Sequence, residues 1–290
     1  MKFLTFLIRF SVTLLVVAIA IFAGWRLWIH YMESPWTRDA RVRVNVVTIA
    51  PDVAGAIVDL RVKDNQKVSK GDILFIVDQA RYRLALQETA ALVKTRTVEA
   101  EQRKRELERR EKLADSSAIS REMLETAENV VITSQALLDQ AIAAHENAKL
   151  NMERTEVRSP VNGFVTNLQL EVGDYATVGK PMLAMVNSDS YYVAGYFEET
   201  KVHRIREGDP VIIRLMGFSE PLTGKVESIA PAIADRENVV NTDLVANVNP
   251  TFSWVRLAQR IPVRIAIEKI PDDVRLSAGM TATVKVEEKK

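Results

Sequence analysis

The chain opens on an unbroken apolar run. From Phe10 to Trp25 no residue is charged. Extension through Arg26 to Ile29 brings the run to about 20 residues, the length that crosses ~30 Å of hydrocarbon. Arg26 lies near its end, where a long side chain can snorkel to the interface. Trp25, Trp28, Tyr31 and Trp36 gather there as an aromatic belt does. A cleaved leader is the alternative, because Ala18-Ile19-Ala20 has the small-x-small form of a cleavage site. The apolar Ile21, Phe22 and Ala23 beyond it favour an uncleaved transmembrane helix over residues 10–30, with 1–9 before it and a linker or first strand over 31–45. Basic residues flank both ends, so charge bias leaves the orientation open.

Beyond the anchor the pattern shortens to strand-like alternation and repeats itself. IAPDVAGAIVDLRVKDNQKVSKGDILFIVD, residues 49–78, is matched by VRSPVNGFVTNLQLEVGDYATVGKPMLAMVN, residues 157–187. Gly55 corresponds to Gly163 and Gly71 to Gly179, 16 residues apart in each copy. Ile57, Leu60, Val62 and Leu74 correspond to Val165, Leu168, Leu170 and Met182, and a proline precedes the first glycine in each, at Pro51 and Pro160. Each copy reads as short strands punctuated by glycine turns, with Val53, Ile57, Leu60 and Val62 as half-buried strand residues. Neither copy alone can cover its apolar face, so the two are expected to pair into one β-sandwich over 46–78 and 155–190.

The copies are separated by a helical pattern over 79–154. Between Gln79 and Arg154 there is neither Gly nor Pro, and good helix formers dominate. A break falls at residues 114–120, where Ser120 is a suitable N-cap and Glu122 lies in the first turn. Two helices of about 33 residues, each roughly 50 Å long, are predicted. The second carries a 3-4 stripe: Leu124, Ala127, Val131, Ser134, Leu138, Ala141, His145, Ala148 and Met152, widened by Val130 and Leu137. That is a coiled-coil seam. The first is less regular, with Leu84, Leu86, Leu92, Val93, Val98 and Leu107 as its apolar positions. Its distal part is charge-dense, and Glu99–Arg103, Glu101–Arg105, Glu106–Arg110 and Glu108–Lys112 have ion-pair spacing. Long helices with a short connection predict an antiparallel hairpin. A dimerisation coil is the plainer reading. Against it, the hairpin leaves and re-enters one β-domain and so projects from a fixed root.

Alternation returns in the last hundred residues. Val263, Ile265 and Ile267 alternate with Arg264, Ala266 and Glu268, and Ala282, Val284 and Val286 with Thr281, Thr283 and Lys285. Pro210 to Leu215 and Val226 to Ala230 add further strands, giving a small antiparallel barrel over 191–290. Residues 231–251, rich in Asn and Asp, read as a loop.

Composition narrows function by exclusion. With no cysteine among 290 residues, disulfides, thiolate nucleophiles, Cys-ligated metals and an N-terminal lipidated cysteine are excluded. A net charge of +1 gives no sign of nucleic-acid binding. His30, His145 and His203 lack metal-ligand spacing. His145 lies on the seam as a packed or inter-helix polar residue. Glu198-Glu199 reads as a solvated pair rather than an acid/base couple. No phosphate-binding glycine loop or nucleophile elbow is present. The sequence therefore offers no catalytic, cofactor-binding or metal-binding residue, and no cofactor is expected.

The half-motifs resemble those of biotinyl/lipoyl domains, whose carriers bear a modified lysine in the turn between halves. Here that turn is replaced by the helical insertion, so a swinging-arm carrier is disfavoured. Taken with ESPWTRDARVRVNVVTIAPDVAG, YFEETKVHRIREGDPV, GKVESIAPAI, WVRLAQRIPVRI and LSAGMTATVKV, the whole chain resembles the HlyD/EmrA-like membrane fusion proteins. Within them it is most similar to adaptors of aromatic carboxylic (p-hydroxybenzoic) acid efflux pumps. Adaptors of major-facilitator multidrug pumps are the near relatives, and protein-secretion adaptors are more distant. The resemblance implies a non-enzymatic protein held in the bacterial inner membrane by one helix, with its bulk in the periplasm. It also implies ring-like self-association, an inner-membrane exporter as partner, and an outer-membrane channel of the TolC type met by the hairpin tip. The tip would contact that channel through the Arg109-x3-Leu113-x6-Ser120 pattern.

Overall fold

The structure, a computed structural model, describes residues 2–114, 120–233, 258–271 and 274–287. It divides into two compact units, Val46–Asp189 on one hand and Met1–Asn45 with Ser190–Lys290 on the other. Helix α1, Lys2–Trp28, continues through one π-helical turn, Ile29–Glu33, and the chain then enters strand β1, Trp36–Arg43. The stretch Phe10–Glu33 is long and apolar enough to cross a membrane, and residues 10–28 are exposed throughout.

In the unit Val46–Asp189 the two repeat copies fold as one module. The first supplies β2 (Val46–Ile49), β3 (Gly55–Leu60), β4 (Lys67–Val68) and β5 (Ile73–Val77). The second supplies β6 (Glu156–Arg158), β7 (Gly163–Thr166), β8 (Tyr175–Ala176) and β9 (Leu183–Asn187). One sheet runs β2-β9-β7-β4 and the other β6-β5-β3-β8, so each takes two strands from either copy. Exchanging the copies converts one sheet into the other.

The backbone hydrogen bonds obey the same exchange. Ile57 donates to Asp174 O at 2.8 Å while Val165 donates to Gln66 O at 3.0 Å. Asn65 donates to Val165 O at 3.1 Å while Gly173 donates to Ile57 O at 2.9 Å. Between the sheets lie Ile57, Leu74, Phe75, Val77, Val165 and Met185, all at most 1% exposed. Val53 and Val62 are buried too, although they sit in connecting segments rather than strands. Pro51 is not the counterpart of Pro160. Gly179 donates to Pro51 O and Gly71 to Ser159 O, so Ser159 holds the equivalent place.

The insertion forms α2, Ala80–Ala114, and α3, Arg121–Glu153, of 35 and 33 residues. The predicted α3 seam is observed with a strict rhythm. Ala127, Ser134, Ala141 and Ala148 are buried, and Leu124, Val131, Leu138, His145 and Met152 between them are half-buried. The α2 seam matches the expectation in part: Leu86, Val93 and Leu107 lie on it. Leu84, Leu92 and Val98 are exposed. The buried side runs through Tyr82, Leu86, Thr89, Val93, Arg96, Ala100, Arg103, Leu107 and Arg110. This too is an unbroken 3-4 stripe, but a mixed one, in which arginine stems supply apolar cover and their heads reach water or a glutamate. The small residues of α3 make room for those long side chains.

In the second unit β10 (Tyr192–Glu198), α4 (Glu199–Val202), β11 (Pro210–Leu215), β12 (Leu222–Ile229), β13 (Arg260–Lys269) and β14 (Thr281–Val286) follow in order. The strands close into a six-stranded barrel, β1-β10-β13-β12-β11-β14. The barrel therefore does not begin at residue 191: β1 bridges β10 and β14 and closes it. Ala40 and Val42 enter the core beside Val193, Phe197, Ile213, Val263, Ile265 and Val284, while Arg41 and Arg43 face outward. Of the predicted Asn- and Asp-rich loop at 231–251, residues 234–251 lie outside the described residues.

Candidate functional site

The hairpin is rooted in the sandwich, where Tyr82 packs against the core, and its two ends differ in character. At the root its strand connections are clamped. Thr155 is fully buried. Its hydroxyl donates to Met152 O at 2.6 Å and accepts from Gln79 Nε2 at 2.9 Å, and its carbonyl accepts from Val77 at 2.9 Å. Asp78 caps the start of α2 through Ala80 N at 3.0 Å. The Tyr82 hydroxyl and Arg81 both donate to Ala54 O, at 2.7 and 3.0 Å. These bonds join both helices to the strands that carry them, so the arm leaves its module in a fixed direction.

At the distal end charge replaces packing. Glu106 holds two seam arginines, Arg110 at 2.7 Å and Arg103 at 3.6 Å. Arg110 also donates to Met123 O across the helix pair at 3.4 Å. Of the four spaced pairs, Glu106–Arg110 and Glu101–Arg105 form, the latter at 3.6 Å. Glu99 turns instead to Arg96 at 2.8 Å, because Arg96 and Arg103 both belong to the seam. Nearer the root, Thr89 Oγ1 meets His145 Nδ1 at 3.2 Å, the inter-helix polar contact anticipated for this histidine.

Arg109 and Leu113 stand one turn apart near the end of α2, both exposed, Leu113 by 49%. Ser120 begins α3 as its N-cap, accepting from Met123 N at 3.3 Å. Residues 115–119 between them lie outside the described residues. Met123, 56% exposed in the first turn of α3, is a second outward apolar residue that the sequence pattern did not single out. An apolar residue off the seam in the turn next to the break was the available signal. Among the described residues no group of three or more His, Asp or Glu is placed to hold a metal ion. Glu198 stands at the N-cap position of α4 without a side-chain cap bond and pairs with Lys201 at 3.2 Å.

Known proteins share this arrangement. A putative efflux transporter of Bacteroides eggerthii superposes with a TM-score of 0.59 at 19% identity, over 87% of this chain and 68% of that one. The membrane fusion protein Spr0693 of Streptococcus pneumoniae gives 0.58 at 16%, over 85% and 99%. MacA of Actinobacillus actinomycetemcomitans gives 0.57 at 18%, over 88% and 79%. These likenesses define the fold class: a split sandwich carrying a helical hairpin, followed by a β-barrel. Residues 45–188 match the family model of the RND membrane fusion protein barrel-sandwich hybrid domain, and residues 190–287 that of the AAEA-like β-barrel domain. The uncharacterised protein YdhJ of Escherichia coli K12 is 44% identical over 280 residues, 96% of this chain and 98% of that protein. The chain belongs to the membrane fusion protein family.

Proposed function

We propose that this adaptor is held in the bacterial inner membrane by α1, with its bulk in the periplasm, and couples an inner-membrane exporter to an outer-membrane channel of the TolC type. The observation that carries the reading is the clamped root. A rod fixed to a sandwich at one end, and presenting exposed Arg109, Leu113 and Met123 at the other, is built to reach a distant partner. The energy for transport comes from the exporter. Several copies ring together. The exposed Leu84, Leu92, Val98, Ile132, Ile142 and Leu150 on the hairpin support lateral packing between neighbouring arms. The cargo we propose is an aromatic carboxylic acid, on the resemblance of the flanking and barrel segments noted above.

Arg109→Asp and Leu113→Asp change exposed positions, so stability should move by no more than about 0.5 kcal/mol. Each should abolish export of p-hydroxybenzoate from cells that depend on this adaptor, while the purified protein keeps its helical signal and thermal midpoint. Normal export by both variants contradicts the tip assignment. Normal tip dependence with export only of unrelated drugs would instead favour a major-facilitator partner.

A further inference from the structure

Where the span ends and the barrel begins, the described residues line an open cavity of about 520 Å³. It is lined by Tyr31 and Met32 from the end of the span, by Trp36, Arg38 and Asp39 of β1, and by Tyr196, Glu198, Lys201 and Arg260. Its charge is organised. Lys201 is unusual for a lysine in being almost entirely buried, with its side chain 8% exposed. Its ammonium lies 5.6 Å from the centre of the Trp36 ring, and the Arg38 guanidinium lies 5.5 Å from the same ring. Arg260 pairs with Asp39, and Lys201 with the half-exposed Glu198. Three cations thus face two carboxylates, and Arg43 adds a bond to the Tyr196 hydroxyl at 3.3 Å. The other wall is apolar and aromatic, with Tyr31 edge-on to Trp36 at 6.2 Å.

We propose that this cavity binds the anionic headgroup of a membrane phospholipid. The inference rests on α1 being a membrane anchor. A pocket built on the last turn of a membrane span lies at headgroup depth. There an excess cation beside an aromatic and thioether wall matches a phosphate joined to glycerol and the upper acyl chain. A buried lysine close to a tryptophan face supplies a pre-positioned charge, and exposed Arg38 supplies one at the mouth. The bound lipid would fix the barrel against the bilayer surface.

The test is native mass spectrometry of the full chain released from nanodiscs containing equal parts of phosphatidylglycerol and phosphatidylcholine. The wild-type chain should carry phosphatidylglycerol in preference. Arg38→Gln and Lys201→Met should each reduce that preference about fivefold, as loss of one interfacial cation does. Arg61→Gln, in the other unit, should leave it unchanged. Arg38 is exposed, so its variant reports even where Lys201→Met perturbs folding. No preference in the wild type, or an undiminished preference in both variants, overturns the assignment. Benzoate and inorganic phosphate form the competing arms. If benzoate binds and phosphatidylglycerol is not selected, the cavity takes a soluble aromatic acid. If inorganic phosphate strips the lipid, it takes a free anion. Either result also overturns the proposal. A chain that never enters the nanodisc refutes the anchor itself, a separate outcome that removes the cavity from headgroup depth.

Discussion

A β-carbon at Gly163 would lie 1.8 Å from the carbonyl oxygen of Val186, against which β7 packs. At the corresponding Gly55 the nearest atom is Val77 Cγ1 at 2.8 Å, a side chain with room to adjust. Gly71 and Gly179 share a different constraint, a left-handed backbone with φ of 94° and 74°. Substitution by alanine should therefore separate the three causes. Gly163→Ala should cost more than about 2 kcal/mol, since backbone must move. Gly71→Ala should cost ~1–2 kcal/mol from its backbone angle, and Gly55→Ala less than Gly163→Ala. Urea midpoints of the purified variants give the order. These glycines were legible in the sequence as a matched pair of pairs, but not the reason for each. The repeat told where the chain is the same, and the sheet pairing tells why. In the barrel, burial of Tyr191, whose hydroxyl donates to Leu276 O at 3.2 Å, raises its pKa, opposed by Arg275. The folded state then holds the phenolic proton more tightly than the unfolded one. Its contribution is complete below the ordinary tyrosine pKa near 10 and is lost as pH rises through the folded value. Thermal midpoints should fall as pH rises above about 10, and Tyr191→Phe should make that fall shallower.

At the scale of elements, the two hairpin helices show what hydrophobic periodicity reveals and what it hides. The α3 seam was legible because seven of its nine positions are apolar. The α2 seam was legible only in part, because Arg96, Arg103, Arg110 and Thr89 occupy four of its buried-side positions while Leu84, Leu92 and Val98 point outward. A pattern scored by residue class cannot see that an arginine stem packs as hydrocarbon with its charge led away to Glu106 or Glu99. The α3 side is tight, with Ala141 3% exposed. Ala141→Leu should overpack it by ~1–3 kcal/mol. Ile142→Ala, next in sequence but 42% exposed, should change stability by no more than about 0.5 kcal/mol in a single chain. Urea titration of the helical circular-dichroism signal distinguishes them. The partners of Arg96 and Arg103 follow from the same fact. Once a basic residue lies on the seam, the nearest glutamate along its own turn wins over the one that spacing alone suggests.

At the scale of the molecule, the architecture depends on pairings between distant segments. The sandwich joins residues near 50 to residues near 180, as Val46–Val186 and Ile49–Leu183 show, and the barrel joins Arg43 to Tyr192 and Trp36 to Lys285. The first of these was legible because the halves resemble each other. The second was legible only as a linker or first strand over 31–45, because β1 is eight residues with four charges and its place in the barrel depends on distant partners. Its short alternation, Ala40 and Val42 in and Arg41 and Arg43 out, gains meaning only when β10 and β14 are in place. Arg109, Leu113 and Ser120 are proposed as contacts on resemblance and the helix break, not on any chemistry that their spacing demands.

The central claim is that the free end of the hairpin meets a channel in the outer membrane. The chain has no cysteine, so a single Leu113→Cys labelled with a benzophenone maleimide marks the tip uniquely in living cells. The account predicts that irradiation joins the adaptor to an outer-membrane channel from position 113, and not from a cysteine placed at Glu268 on the barrel. Capture of the channel equally from position 268, or none from 113 in cells whose pump is active, would contradict it.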